Sequence, residues 1–94
     1  MHEQRIPRAL PLAHSCLGRA LRDLRTACGL THRDVGARVG VHQVYVAAIE
    51  RGSIDPTFWM LIRFTRALNS DVSSLVERYS QHAEAWPAEP GAAA

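Results

Sequence analysis

Between Gly40 and Gly52 the chain reads Val41-His42-Gln43-Val44-Tyr45-Val46-Ala47-Ala48-Ile49-Glu50-Arg51. The groups there that could do chemistry are an amide, small apolar side chains and a guanidinium, rather than a nucleophile or paired carboxylates. The Gln43 amide can both accept and donate, which matches N6 and N7 of adenine in a major groove, and Val44 suits a thymine methyl. Ala47 and Ala48 are small enough to let a helix sit deep in a groove. Each residue also has a plainer reading, with Gln43 a solvated surface amide and Tyr45 a half-buried brace on the preceding helix rather than a stacking or phosphate-donating group. Winding the stretch at about 100° per residue sets Val46, Ile49 and Glu50 toward a core. Val44, Ala47, Ala48 and Arg51 fall on the other side, flanked by Gln43 and Tyr45.

Such a segment needs a scaffold, and the flanking residues supply one. Thr31 stands three residues before Asp34, a capping box that starts a helix over His32 to Arg38, and Gly40 can stop it. A second short helix over Gln43 to Arg51 completes a helix-turn-helix. Upstream, Leu17, Leu21, Leu24 and Cys28 share one face of a first helix from Ser15 to Cys28, with Gly29 as C-cap and Cys28 in the core. Downstream, Asp55 with Pro56 reads as N-cap and first residue of a fourth helix ending near Asn69. It puts Trp59, Arg63 and Arg66 opposite Phe58, Leu61, Ile62, Thr65 and Leu68. Asp71 caps a fifth helix, whose stripe of Val72, Leu75, Val76, Tyr79, Ala83 and Trp86 continues to about Ala85. Residues 1–14 read as a flexible N-terminal arm, 15–86 as one domain and 87–94 as a disordered tail. The fold class is all-α.

The chain has 94 residues, enough for one small domain and little room for an elaborate active site. Net charge is +2, but residues 17–68 carry eight arginines against four acids and residues 69–94 one against four. The basic half is the helix-turn-helix half. All 11 cations are arginine, which fits both guanidinium recognition of phosphate and a GC-rich coding sequence. Cys16 and Cys28 would stand about 18 Å apart along one helix, beyond disulfide reach. His2, His14, His32, His42 and His82 form no zinc-ligand spacing with them, so no metal or cofactor is expected. With neither a membrane-spanning run nor a signal-peptide core, the expected location is the cytoplasm.

The ordered set Arg25, Gly29-Leu30-Thr31, Val39-Gly40-Val41 and Ile49-Glu50-Arg51-Gly52 followed by Pro56, with Leu61, Ala67-Leu68 and Leu75, resembles the Cro/C1 (XRE-type) helix-turn-helix family of phage repressors over roughly residues 17–78. The resemblance implies a five-helix, lambda-repressor-like DNA-binding domain. It implies base contacts from Gln43, Val44, Ala47 and Ala48, and backbone contacts from His32, Arg33, His42, Tyr45, Arg51 and Ser53. It also implies a structural ion pair between Arg25 and Glu50. Two departures stand out: the base-reading face has few polar side chains, and Gly36 stands where a small Ala is usual between helices two and three.

The expected function is a non-enzymatic transcriptional regulator, a repressor or autoregulator, bound to a pseudo-palindromic double-stranded operator. Its homodimer would pair Val72, Val76, Tyr79, Ala83 and Trp86 with their symmetry mates. Further partners of a docked regulator would be RNA polymerase or an antagonist protein. The alternative is a protein-interaction module of the same fold that uses the apolar face of helix three.

Overall fold

A computed structural model describes residues 9–83, with side-chain surroundings from residue 13 onward. Five helices follow in order: α1 (Ala9–Ala27), α2 (His32–Val39), α3 (Gln43–Glu50), α4 (Phe58–Ala67) and α5 (Val72–Ala83). α1 lies against α5 and α3, α2 packs on α3 and α4, and α4 meets α5. Every helix contributes to one core of Ala20, Leu21, Val35, Val39, Val46, Ile49, Phe64, Leu68 and Leu75.

Local signals set most of the boundaries. The Thr31 hydroxyl accepts from the Asp34 amide at 3.0 Å, and the Asp34 carboxylate accepts from the Thr31 amide at 2.9 Å. Gly40 closes α2 at φ 88°, a left-handed conformation that lets its amide turn back to the Gly36 carbonyl. Asp71 caps α5 by accepting from the Ser74 amide at 2.8 Å. These hydrogen bonds hold the Asp34 and Asp71 carboxyls below the usual carboxylate range.

Three expectations require correction. α1 starts at Ala9, not Ser15, so residues 9–14 are helical rather than part of a loose arm; residues 1–8 lie outside the described residues. Pro11 does not oppose this, because it falls in the first turn, where amides have no intrahelical acceptor. α4 is capped by Thr57, whose side chain accepts from the Met60 amide at 3.1 Å, and Asp55 and Pro56 precede it. Two cap-competent residues flank that proline, and it is Thr57 that makes the cap bond, while Pro56 is buried ahead of the helix instead of opening it. Phe58 consequently opens α4 and is 65% exposed, off the buried face where the periodicity placed it. Finally, Cys16 is the buried thiol, while Cys28 is exposed just past α1 and donates to the Leu68 carbonyl at 3.0 Å.

Two glycines set how closely α3 is held. A Cβ on Gly36 would lie 2.5 Å from the Val41 carbonyl oxygen, so α2 and the turn are nearer than an alanine permits. A Cβ on Gly18 would lie 2.2 Å from the Glu50 carbonyl oxygen, which makes α1 and the end of α3 a backbone-to-backbone contact. Gly18 was not singled out from sequence. Its one signal is a glycine inside a helical pattern, which lowers helix propensity and so calls for a packing reason.

Candidate nucleic-acid interface

α3 has eight residues, and its buried side is wider than its sequence suggests. Val46, Ala48 and Ile49 are buried at 2%, 6% and 2% exposure, and Tyr45 packs half-buried against the core between them. Ala48 therefore leaves the base-contacting set. α3 is wedged between α1 and α2, so its buried arc covers Ala48 as well as Val46 and Ile49. What remains outward is Gln43, Val44, Ala47 and Arg51. Ala47 lies between Gln43 and Arg51, one turn from each, with Val44 at 62% exposure alongside.

The start of this helix is held by His42, whose Nδ1 accepts from the Val44 amide at 3.0 Å. That bond requires Nδ1 to be unprotonated, which fixes the neutral tautomer while the cap is in place. Its other end is held by a hub at Glu50. Arg25 donates from Nε to one carboxylate oxygen at 2.6 Å and from Nη2 to the other at 2.9 Å. A third nitrogen, Nη1, donates to the Leu30 carbonyl at 2.8 Å, so one side chain ties α1, the α1–α2 loop and α3 together. The Glu50 hydrogen bond, aided by its charge and opposed by burial, raises the Arg25 pKa and keeps the guanidinium charged.

His32 joins this hub. Its Nε2 lies 2.9 Å from Glu50 Oε1, although the ring remains 37% exposed at the start of α2. Sequence reasoning treated His32 only as a backbone-contacting residue and missed this partner 18 positions away. The Glu50 bond occupies one ring nitrogen and leaves Nδ1 without a partner among the described residues, an acceptor in the neutral ring and a donor only in the protonated one. Arg33 is exposed beside it, and Arg51 and Ser53 are exposed after α3. The Ser53 amide turns inward to the Ala48 carbonyl at 2.9 Å.

Two other arginines fasten the scaffold. Arg38 donates to the Ala67 carbonyl at 3.0 Å, satisfying the end of α4, and Arg63 donates to the Val39 carbonyl at the end of α2. Arg63 thus does not stand free beside Trp59, which is 64% exposed. On α5, Val76 is 54% exposed, Val72 and Ala83 are half-buried, and Tyr79 packs partly against the core, its pKa raised by burial. Trp86 and the continuation of α5 to Ala85 lie outside the described residues, as do 87–94. His82 and Arg78 turn toward α1, where Asp23 lies 2.7 Å and 3.9 Å from them.

The comparisons find the same two-helix unit. A family model described as a helix-turn-helix domain matches residues 17–77. The fold resembles the clp gene regulator ClgR from Corynebacterium glutamicum, at 28% identity and TM-score 0.74 over 77% of this chain and 92% of that one. It also resembles the restriction-modification controller protein C.AhdI from Aeromonas hydrophila, at 30% identity and TM-score 0.63 over 65% and 92% of the two chains. A third likeness, of fold alone at 20% identity, is to the controller protein C.Esp1396I tetramer in complex with its natural 35 base-pair operator, with TM-score 0.69 over 74% and 92%. No match is found among proteins of curated function. No helix among the described residues is long and apolar enough to cross a membrane. From the capped α2–turn–α3 unit, its Glu50 hub and the match across residues 17–77, the chain belongs to the helix-turn-helix family of XRE-type DNA-binding regulators.

Proposed function

We propose that this chain is a cytoplasmic transcriptional regulator that binds a pseudo-palindromic operator as a homodimer and represses or autoregulates by occupying a promoter. The observation that carries this reading is the outward face of α3, where Gln43 and Arg51 flank Ala47 and nothing large stands between them. A helix with a low centre and polar ends can enter a major groove, with Gln43 reading an adenine edge and Val44 meeting a thymine methyl. Arg33, Arg51, Ser53, Tyr45, His42 and the free nitrogen of His32 are the groups for sugar and phosphate. The operator-bound C.Esp1396I tetramer supports the same use of the fold.

A homodimer follows from α5 in this reading. Val76 stands exposed beside Val72, Tyr79 and Ala83, and a two-fold pairing would cover that strip. It would also set two α3 helices about 34 Å apart, one turn of duplex. The 62% exposure of Val44 favours a second reading, a face that docks a protein.

Nuclease footprinting on DNA flanking the chain's own gene, followed by a salt titration of the protected site, tests the proposal. Binding through phosphates weakens steeply with salt, with a log–log slope near −0.9 per neutralised phosphate. No protected site, or an affinity indifferent to salt, would reject DNA in favour of the protein-docking reading.

A further inference from the structure

A concave surface of about 290 Å³ opens beside α3, lined by Arg22 and Arg25 of α1, His32 of α2, and Ala47, Glu50 and Arg51 at the end of α3. Ala47 and Arg51 belong to the outward face of α3, so the concavity opens on the side that this face presents. Its charges do not cancel. Glu50 is 8% exposed and spends both oxygens on Arg25 and His32, so Arg25 and Glu50 neutralise each other inside the wall. Arg22 and Arg51 are left. Both are exposed, and among the described residues neither side chain has a hydrogen-bond or ion-pair partner.

Two unpaired guanidiniums from different helices, in one concavity with an imidazole whose second nitrogen is free, match a phosphodiester. Guanidinium forks the two non-bridging oxygens, and the imidazole nitrogen can add a third donor when protonated. The start of α2, at His32, adds amides and the positive end of the helix dipole. An exposed arginine on a helix surface is ordinarily solvated and holds nothing. Arg22 differs because it shares a concavity with residues of α2 and α3 whose carboxylate, Glu50, is already taken by Arg25 and His32.

We propose that this concavity seats a backbone phosphate of bound duplex DNA and that Arg22 of α1 is a DNA-contacting residue alongside Arg51 and His32. This deepens the DNA-binding reading and rests on it. α1 then has a second role besides packing: it extends the footprint past the helix-turn-helix, onto the strand flanking the groove that α3 enters. A phosphodiester held here would fix the depth and register of α3 without reading sequence.

The test compares wild type with Arg22→Ala and Arg78→Ala on a random-sequence duplex and on DNA flanking the gene. Arg78 on α5 is a charge-matched control, since α5 packs on α1 and α4 and contributes nothing to the concavity. Arg22→Ala is expected to weaken both duplexes equally, by about tenfold, and to flatten the salt slope by about one phosphate. Arg78→Ala should leave the slope unchanged, and both variants should melt near the wild-type temperature. If wild type binds with a steep slope while Arg22→Ala matches Arg78→Ala, the phosphate seat is wrong and the DNA-binding reading stands. If wild type itself shows no salt-dependent binding, the reading beneath it fails. Inorganic phosphate supplies the remaining arm. Should it displace DNA from wild type beyond chloride at equal ionic strength, and lose that advantage in Arg22→Ala, the concavity takes a free anion instead.

Discussion

Removing Arg25 should destabilise the domain more than any other change to a partly exposed side chain, and the cost can be worked from the hub. Arg25 and Glu50 side chains are 13% and 8% exposed, so Arg25→Ala strands a carboxylate with little access to water. Orphaning one member of a buried pair costs about 3 to 5 kcal/mol. His32 still donates to Glu50 Oε1 at 2.9 Å, which puts this case at the lower end. The Leu30 carbonyl also loses its donor, worth about 1 kcal/mol. The expected total is about 3 to 4 kcal/mol, a fall in melting temperature of about 12 to 30 °C for a domain this small. Urea melts followed by circular dichroism measure it, and a second substitution identifies the cause. If a stranded charge is responsible, adding Glu50→Gln to Arg25→Ala should recover about 1 to 2 kcal/mol, because a neutral amide is cheaper to bury than a carboxylate. A loss below about 1 kcal/mol, or a double variant that is merely additive, would refute the hub as the fastening of α3.

Three other outcomes are expected. Gly18→Ala gains about 1 kcal/mol of helix propensity but forces a Cβ onto the α3 backbone, so it should be net destabilising by about 1 to 3 kcal/mol in thermal melts; a stabilised variant would contradict the close approach. Gln43→Ala should relax preference at one base pair per half-site at a cost of about 1 to 3 kcal/mol, read by competition between single-base operator variants, and an unaltered preference profile would remove Gln43 from base reading. The Asp34 and Asp71 carboxyls are depressed by their capping hydrogen bonds, so the stability they confer is complete above the ordinary carboxylate pKa of about 3.9 and is lost as pH falls through the lower folded values. The Asp34→Asn/Asp71→Asn chain keeps its caps and should lose stability less steeply on acidification, and an acid limb as steep as wild type would assign that loss to other groups.

What the sequence disclosed was whatever lay within a few residues of its own cause. The Thr31–Asp34 box, the Gly40 stop and the Asp71 cap each depend on a hydrogen bond spanning four residues or fewer, so residue type and spacing suffice. The start of α4 was ambiguous at that scale, because Asp55 and Thr57 can each cap and only the packing of Pro56, which is buried, separates them. Ala48 shows a different limit. In a helix of eight residues, five of them small or β-branched, periodicity cannot say how wide an arc is covered, and here α1 and α2 cover it from two sides. Long-range partners were the least visible. Arg38 and Arg63 resemble any solvated arginine until the carbonyls 29 and 24 positions away are known, and His32 resembles a phosphate contact until Glu50 is placed beside it.

A helix as short as α3 cannot hold itself in water; isolated helices under about 12 residues are marginal even in favourable sequences. Its order must come from what surrounds it, and three contacts supply it at different points. His42 caps its first turn, Gly36 lets the turn before it press on α2, and at its end Gly18 and the Arg25–Glu50–His32 hub clamp backbone and side chain together. The exposed side chains Gln43 and Val44 contribute little to that order, so substitution there should leave α3 in place while damage to the clamp should not. Under the proposed function, damage to the clamp should therefore cost DNA affinity on every sequence alike, whereas a change at Gln43 alters which sequence is preferred. His32 belongs to both groups under that reading: Nε2 holds Glu50 while the ring stays 37% exposed beside the proposed phosphate, so a substitution there should loosen α3 and remove a phosphate contact together.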